Sequence, residues 1–429
     1  MIKVYLSAVT ILSLSMLNAG EFHALGGKSI GMGGAGVASA SGSLAGYYNP
    51  ALLAEATGVE VSLGVGLAVR EKDIGEQIDS LSNMKLNDIV DRIAQNAPRA
   101  GSNTNSDTKN IIEAQNILQE IGDENGISLM PTAHLAVQYN NMAIGIYASS
   151  EIAVSANIDK KHTDLIVTDD NGHYYRYTPQ TDEYGFSNRE AYEASSLQYS
   201  LENKTTSADA KGLILVEVPV SYAKAFDFPM GKLSLGGSLK LMHGTTYTER
   251  LDIDSEDVTN EDSLKENQED SDNIGLDLGL LFQPTLLSDL QVGLVAKNLN
   301  SPTFDLARGG SIRADLQLRT GLQYKLLNSL DFAVDLDLTS NQTLIQGYES
   351  QMFGGGINFH PFLGFALRAG AMQNLANSNE GLVYTAGLAL GLEQFQLDIS
   401  AQMSSNTGVY DGEDIPKYAK VNVALISKW

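Results

Sequence analysis

Fourteen stretches of the chain alternate apolar with polar or small residues, and this pattern is what most restricts the fold. In one stretch, Ile274, Leu276 and Leu278 alternate with Gly275 and Asp277. A period of two is typical of a strand that has one apolar face and one polar face. The sequence therefore predicts an all-β fold, with strands at about residues 59–70, 129–139, 142–154, 212–227, 231–250, 272–284, 289–299, 313–326, 329–339, 348–360, 362–374, 380–392, 394–404 and 417–429.

The lengths of these strands and of their connections distinguish a membrane barrel from a soluble β-sandwich. Most of the strands reach the ~9–11 residues that a tilted strand needs to cross a bilayer. Every second connection is tight, including Asn140-Asn141, Pro361 and Glu393, whereas the others include the long segments 71–128 and 155–211. Short turns on the periplasmic rim and long loops outside are typical of outer-membrane barrels. We predict a transmembrane antiparallel β-barrel of about 14 strands, residues 58–429.

The cost of charge in lipid predicts which face of each strand is turned inward. A lysine or arginine on the lipid side at mid-membrane costs roughly 2–4 kcal/mol. The charged residues expected to face the lumen are Lys240, Asp277, Arg313, Asp315, Arg319, Asp331, Asp335, Asp337, Arg368 and Asp398. The last strand ends in Trp429 and resembles the C-terminal signal of the barrel-assembly machinery. Outer-membrane lipid and lipopolysaccharide are the surroundings expected for such a barrel.

The first 19 residues are typical of a bacterial export signal. They contain one basic residue, an apolar stretch from Val4 to about Leu17, and a small residue at Ala19. A membrane anchor is the alternative, but the stretch is shorter than ~20 residues and is interrupted by serines. We therefore expect a cleaved signal peptide, residues 1–19, and a protein in the bacterial outer membrane.

Composition and motifs argue against several other functions. The chain has no cysteine, which excludes disulfides and thiolate metal sites, and its net charge of -24 disfavours nucleic acid as a partner. The six histidines lack metal-ligand spacing, and no G-x-S-x-G elbow is present. The acidic run from Asp252 to Asp272 is either a solvated loop or a site for cations shared with lipopolysaccharide. We predict no enzyme, no cofactor and no metal, with a hydrolase assembled from distant strands as a minor alternative.

Residues 20–57 precede the first strand and are rich in glycine and alanine. Gly31, Gly33 and Gly36 satisfy G-x-G-x-x-G, but a dinucleotide site also needs a βαβ unit, which is not evident. A flexible tail is a second alternative, yet the segment contains apolar residues that require burial. We predict a compact plug, or hatch, inside the barrel, with these candidate residues: Gly31, Gly33, Gly34, Gly36, Tyr47, Tyr48, Asn49, Pro50, Ala51 and Leu52.

The glycine-rich opening, the Asn49-Pro50-Ala51 motif and the strand count resemble the FadL-like family of outer-membrane transporters for long-chain fatty acids and other hydrophobic compounds. Residues 295–304, VAKNLNSPTF, further resemble the branch known as conjugal transfer protein TraF. The resemblance implies passive uptake of a hydrophobic small-molecule ligand, gated by the N-terminal plug. It also implies a lateral exit where a strand is interrupted, for which Ser149, Ser150, Ser155 and Pro219 are candidate positions.

Two questions stay open at this stage. Helical patterns between the first two strands, at 74–81, 86–93 and 111–121, form either a substrate groove or a cap on the barrel. The function is either uptake of a hydrophobic compound or a structural role in conjugation or secretion without solute transport. An apolar pocket next to Asn49–Leu53 favours uptake, whereas a solid wall around a charged lumen favours the structural role.

Overall fold

The chain folds into a closed barrel of fourteen antiparallel strands, in which each strand pairs with its sequence neighbours and the first pairs with the last. The computed structural model describes residues 16–18, 20–95, 106–169, 171–253, 266–392, 394–410 and 412–429. Strands β1 to β14 are Val59–Lys72, Gly126–Tyr139, Met142–Asn157, Ser207–Phe228, Gly231–Leu251, Gln268–Pro284, Leu290–Lys297, Gln317–Leu327, Leu330–Asp337, Met352–Phe362, Phe365–Asn374, Leu382–Gly391, Phe395–Ser404 and Tyr418–Lys428. The predicted fourteen-stranded barrel is confirmed.

The two faces of the wall differ as the cost of charge requires. Outward residues such as Val65 and Leu241 are 59% and 61% exposed. Inward charged residues such as Lys240 and Asp335 are only 2% and 1% exposed. Eight of the ten predicted inward charges are buried on β5, β6, β8, β9, β11 and β13, namely Lys240, Asp277, Arg319, Asp331, Asp335, Asp337, Arg368 and Asp398.

Three expectations about strand ends were wrong. The eighth strand was expected to begin at residue 313, but residues 311–313 form a separate short strand that pairs with 303–305 and not with the barrel wall. Arg313 and Asp315 therefore precede β8, and their side chains form an ion pair with each other. Pro361 lies inside β10, beside a register shift between Phe359 and Phe362, and the tight turn is at Gly364, whose φ is +80°. The acidic residues at 268–272 belong to β6, where pairing with the long strand β5 extends the wall.

The connections on one rim are short and those on the other rim carry further structure. The helices are α1 to α7: Gly27–Gly31, Ala45–Tyr48, Gly75–Met84, Leu86–Gln95, Ser106–Glu120, Arg189–Ser195 and Leu197–Glu202. Turns of 3₁₀ helix span Gly42–Leu44, Pro50–Glu55 and Thr285–Leu287. The short strands outside the barrel are Met16–Asn18, Ile166–Thr168, Tyr174–Thr178, Glu183–Ser187, Thr303–Asp305, Ser311–Arg313, Asn341–Gln342, Glu349–Ser350, Thr407–Tyr410 and Glu413–Pro416. Within the described ranges, no helix is both long and apolar enough to span a membrane.

The apolar faces of helices α3 to α5 are packed against a second loop. Apolar side chains of these helices, including Leu86, Ile89 and Ile111, are at most 1% exposed. They pack against Val167 and Leu197 of the connection between β3 and β4. The apolar faces predicted from the sequence are thus buried against a second loop; the side chain of Ile78 and residues 96–105 lie outside the described residues.

Candidate functional site in the barrel lumen

Residues 20–57, named the luminal segment below, lie inside the barrel. The segment contacts the inward face of every strand of the closed ring, and this places it in the bore. One contacting wall residue from each of β1 to β14, in order, is Glu60, Ala136, Tyr147, Ser221, Gly236, Leu280, Gly293, Arg319, Asp335, Gly354, Gly370, Thr385, Gln402 and Lys420.

The Asn49-Pro50-Ala51 motif ties the luminal segment to itself and to the wall. Asn49 is fully buried, and its amide nitrogen donates to the carbonyl oxygens of Val37 (2.9 Å) and Leu280 (3.0 Å). Its amide oxygen accepts from the backbone N–H of Ala51 (3.0 Å), which caps the 3₁₀ helix Pro50–Glu55. Pro50 begins that helix, where its missing N–H costs nothing. The motif is therefore a structural joint between two parts of the segment and β6.

The predicted glycines allow close approach to the wall. Gly31, Gly33, Gly34 and Gly36 are all buried in the lumen, and φ is +67° at Gly33 and +81° at Gly34. Glycine takes such positive φ values without the penalty that a Cβ imposes. The N–H of Gly33 donates to the Thr385 hydroxyl (3.0 Å), which donates to the carbonyl of Gly31 (3.0 Å).

Glycines of the wall complete this fit, and the sequence analysis did not identify them. A Cβ at Gly236 or Gly279 would collide with residues 49–51, and a Cβ at Gly293 would lie 2.6 Å from the Val37 carbonyl. Similar close approaches occur at Gly321, Gly354, Gly356 and Gly370. The signal that could have found them is glycine at inward positions of alternating strands. The inner wall thus has a socket shaped to the backbone of the luminal segment.

An inward carboxylate holds the turn that follows the glycines. Asp335 Oδ2 accepts hydrogen bonds from the backbone N–H groups of Gly36 (2.8 Å) and Val37 (2.9 Å). Consecutive N–H groups that converge on one anion form a favourable local site for negative charge. Arg319 lies 3.6 Å from the same carboxylate and 3.0 Å from Asp337, so the charge of Asp335 is compensated within the wall.

Aromatic residues of the luminal segment stack with each other and with inward cations. Phe22, Tyr47 and Tyr48 lie with ring centroids 5.3 to 5.5 Å apart. The Lys297 ammonium is 3.8 Å from the ring centroid of Tyr47, and the Arg319 guanidinium is 4.6 Å from that of Phe22. Cations over aromatic faces contribute roughly 0.5–2 kcal/mol, more when desolvated. Leu52, the last predicted residue, is 5% exposed in the same cluster.

Arg70 connects the start of the luminal segment to the long-loop rim. Its guanidinium binds both carboxylate oxygens of Glu21 (2.6 and 2.8 Å) and one of Glu380 (2.8 Å). It also lies between the rings of Tyr348 and Tyr418, at 4.9 and 5.4 Å. Burial alone would raise the pKa of Glu21, but the charge and hydrogen bonds of Arg70 outweigh burial and lower the pKa to about 2. Glu21 therefore stays ionised in the lumen.

A small cavity separates the luminal segment from β3, β4 and β7. Its volume is about 60 Å³, and it is lined by Phe22, His23, Tyr47, Glu217 and Lys297, among others. The pKa of His23 is lowered to about 4, and burial is the largest cause of this shift. The cavity is far smaller than the roughly 300–1,000 Å³ of an ordinary small-molecule site. This cavity is therefore too small for such a ligand, whereas a larger one of about 560 Å³ lies between the luminal segment and the wall near Gln291, Gln323 and Asp331.

The candidate lateral-exit residues lie close to two gaps in the hydrogen-bonded wall. Pairing between β3 and β4 skips Gly145 and Ile146, opposite Pro219, and resumes with the register unchanged. Pairing between β2 and β3 likewise skips Met130 and Pro131, which lie opposite Glu151 and Ser150. Proline causes such gaps because it has no N–H to donate. Ser149 and Ser150 also line the small cavity, whereas Ser155 is paired with Asp209 in regular ladder.

The C-terminal residue closes the ring at the short-turn rim. The backbone N–H of Trp429 donates to the carbonyl of Val59 (2.9 Å), and Val59 donates in return to Trp429 (3.0 Å). The indole is 64% exposed, and outward neighbours on β14 include Val423 and Leu425. The position of Trp429 at the end of the closing strand is consistent with the assembly signal, which stays a prediction.

The fold is shared with solved transport channels. The toluene transporter TodX of P. putida superimposes with a TM-score of 0.50 at 11% identity, over 95% of this chain and 99% of that chain. The toluene transporter TbuX of Ralstonia pickettii gives 0.46 at 14% identity, over 94% and 98% of the two chains. A FadL homologue of Pseudomonas aeruginosa gives 0.45 at 10% identity, over 96% and 99%.

Sequence comparison gives the family. No functionally curated protein sequence matches the chain significantly. The family model described as the F plasmid transfer operon TraF protein matches residues 46–345, which is well over half of the chain. The match spans the end of the luminal segment and the strands from β1 to β9. The chain therefore belongs to this TraF family.

Proposed function

We propose that the protein is an outer-membrane channel for hydrophobic small molecules and that the luminal segment is its plug. The observation that carries the proposal is that this segment contacts all fourteen strands of a closed barrel. A barrel of this size with nothing inside would leave a wet lumen. The fold shared with a toluene transporter supports the ligand class, for which aromatic hydrocarbons and long-chain fatty acids are the candidates.

Passage of a ligand along β3 and β4 requires the luminal segment to rearrange, because the cavity at that side of the segment holds only about 60 Å³. The cavity is bounded by residues 20–23 on one side and by Ser149 and Ser150 on the other. Movement of residues 20–23 would enlarge the cavity next to the two wall gaps opposite Pro131 and Pro219. In this proposal the ligand leaves sideways there, into the lipid.

The proposal includes the location and orientation of the barrel in the outer membrane. The outward apolar residues face outer-membrane lipid and lipopolysaccharide, and the short-turn rim faces the periplasm. The closing strand with Trp429 serves as the signal for barrel-assembly machinery.

Uptake measurements test the proposal. Cells that lack the gene are compared with cells that carry the wild-type gene, using labelled toluene and a labelled long-chain fatty acid. We expect the wild-type gene to raise uptake of at least one ligand. Uptake that is the same with and without the gene for both ligands rejects the channel. In planar bilayers, the wild-type barrel should conduct few ions, and deletion of residues 20–57 should produce stable conductance.

A structural role in a transfer apparatus is the second candidate, favoured by the charges of the inner wall. Lys240 pairs with Glu217 (2.7 Å) and Asp277 (3.1 Å), and Arg368 pairs with Asp398 (2.5 Å). Such a wall offers an ionic lining and not an apolar path. The description of the family points the same way. Loss of conjugation on gene deletion, with unchanged uptake, would support this candidate over the channel.

A further inference from the structure

A groove on the long-loop rim, outside the lumen, has an excess of carboxylates. Its volume is about 650 Å³, and it lies between the start of α3, the turn at 122–124 and the hairpin strand Thr407–Tyr410. Five acidic residues line it, namely Glu71, Asp73, Glu120, Asp123 and Glu124. Lys72 and Lys417 are the basic residues of the lining, and both donate hydrogen bonds to Asp73.

Glu71 is the most buried carboxylate of the groove that is not paired with these lysines. It is 4% exposed, and its Oε1 accepts the backbone N–H groups of Ile74 (2.7 Å) and Gly75 (3.2 Å) at the start of α3. Its other oxygen, Oε2, is buried and has no hydrogen-bond partner among the described residues. A Cβ added at Gly408 would lie 2.8 Å from Oε2, so this oxygen points toward the hairpin that lines the groove.

The two lysines of the groove lie against Asp73 and not against Glu71. Burial alone would raise the pKa of Asp73, but hydrogen bonds from Lys417 and Lys72 outweigh burial and lower it. Both lysines thus donate to Asp73, and Lys417 also donates to the Asn379 amide oxygen (2.9 Å). A buried polar atom without a partner is expensive, and more so when it belongs to a charged group.

We propose that this groove binds an organic cation, a primary ammonium group that pairs with Glu71 while Glu120, Asp123 and Glu124 surround it. A metal ion fits less well, because no group of three acidic or histidine side chains in the described parts of the chain is placed to hold one. An ammonium group needs only one close carboxylate, and its three N–H donors suit the free Oε2. The site lies outside the luminal segment and does not depend on the channel function.

The source of the ammonium group is either a free polyamine or a lysine side chain of a peptide. Binding of spermidine and of hexalysine to the purified full chain in detergent distinguishes these sources by relative affinity. The decisive variant is Glu71→Gln, because the amide oxygen still caps α3 while the free carboxylate oxygen is replaced by a donor. Glu190→Gln, which changes an exposed carboxylate in α6, is the matched control for net charge.

We expect saturable binding of at least one probe, weakened about tenfold or more by Glu71→Gln and unchanged by Glu190→Gln. Asp123→Asn should weaken it about twofold, since that carboxylate is at the rim. The heat-dependent shift in electrophoretic mobility shows that each variant is a folded barrel. Absence of saturable binding, or equal loss in Glu71→Gln and Glu190→Gln, overturns the proposal.

Discussion

Replacement of Asn49 by alanine should release the luminal segment without unfolding the barrel. The side chain makes three hydrogen bonds, to the carbonyls of Val37 and Leu280 and from the N–H of Ala51. Two of these bonds hold the segment together, and the bond to Leu280 holds it to β6. The strands themselves pair through backbone bonds that the substitution does not touch.

The magnitude follows from the number of bonds. A typical intramolecular hydrogen bond contributes a net ~0.5–1.5 kcal/mol. The loss of three such bonds at a fully buried residue therefore costs roughly 1.5–4.5 kcal/mol. Because ~1.4 kcal/mol is a factor of ten in an equilibrium constant, the released population should rise by roughly 10- to 1,000-fold. Asn49→Asp should release more, because a second carboxylate oxygen then faces two carbonyl oxygens.

Protease cleavage between residues 20 and 57 and ion conductance in planar bilayers both report release. The matched control is Asn203→Ala, since Asn203 is an exposed asparagine that donates to the Tyr199 carbonyl in a loop. We expect increased cleavage and conductance for Asn49→Ala only, with electrophoretic mobility of the folded barrel retained. If Asn49→Ala matches wild type in both assays, Asn49 is not a joint of the plug and the reasoning fails.

Three other perturbations test the wall glycines, the ion pairs of Arg70 and the pH dependence of residues 20–24. Gly236→Val should displace residues 50–51, at a cost of about 1–3 kcal/mol, and should increase ion conductance. Gly237→Ala should leave conductance unchanged, because its Cβ would meet only ordinary contacts of 3.5 Å or more. Arg70→Met should cost about 3–5 kcal/mol, because it leaves Glu21 and Glu380 buried without a cation, and increased proteolysis near residue 21 is the readout. Lowering the pH from 7 to 4 should loosen residues 20–24, because docked His23 has a pKa of about 4 and the released residue binds a proton near pH 6.5. His23→Gln should remove that part of the pH dependence, and equal pH profiles for both proteins would contradict it.

The strands could be predicted because lipid on one side and protein on the other impose a period of two on each of them. The free-energy cost of placing charge in lipid correctly predicted the inward orientation of eight charged residues. It could not place Arg313 and Asp315, because residues 298–316 are not part of the barrel strands and lipid no longer selects the orientation of their side chains. The first residues of β6 were not predicted to be strand for a related reason. The barrel wall extends beyond the lipid there, so the sequence is polar on both faces and the alternation of apolar and polar residues is lost.

The partners of the luminal residues could not be predicted, because they are distant in sequence. Arg70 is 310 residues from Glu380, and Gly36 is 299 residues from Asp335. An inward glycine on a strand shows that space is needed, but only the fold shows that the space holds Val37 or Ala51. The free oxygen of Glu71 depends in the same way on which loops meet at the rim.

These contacts divide the luminal segment into a fixed part and a part that can move. At residues 32–33, 37 and 49–51 the backbone lies directly against wall glycines, so these points fit closely into the packed wall. Residues 20–25 are held mainly through side chains, by Arg70 on Glu21, the Tyr47 hydroxyl on the His23 carbonyl, and Lys420 on the Ala24 carbonyl. One backbone bond, from Gly20 to the Gln342 carbonyl (3.1 Å), adds to these. Side chains exchange rotamers without movement of the barrel. Opening should therefore begin at residues 20–25, beside the cavity, while the Asn49 joint stays closed.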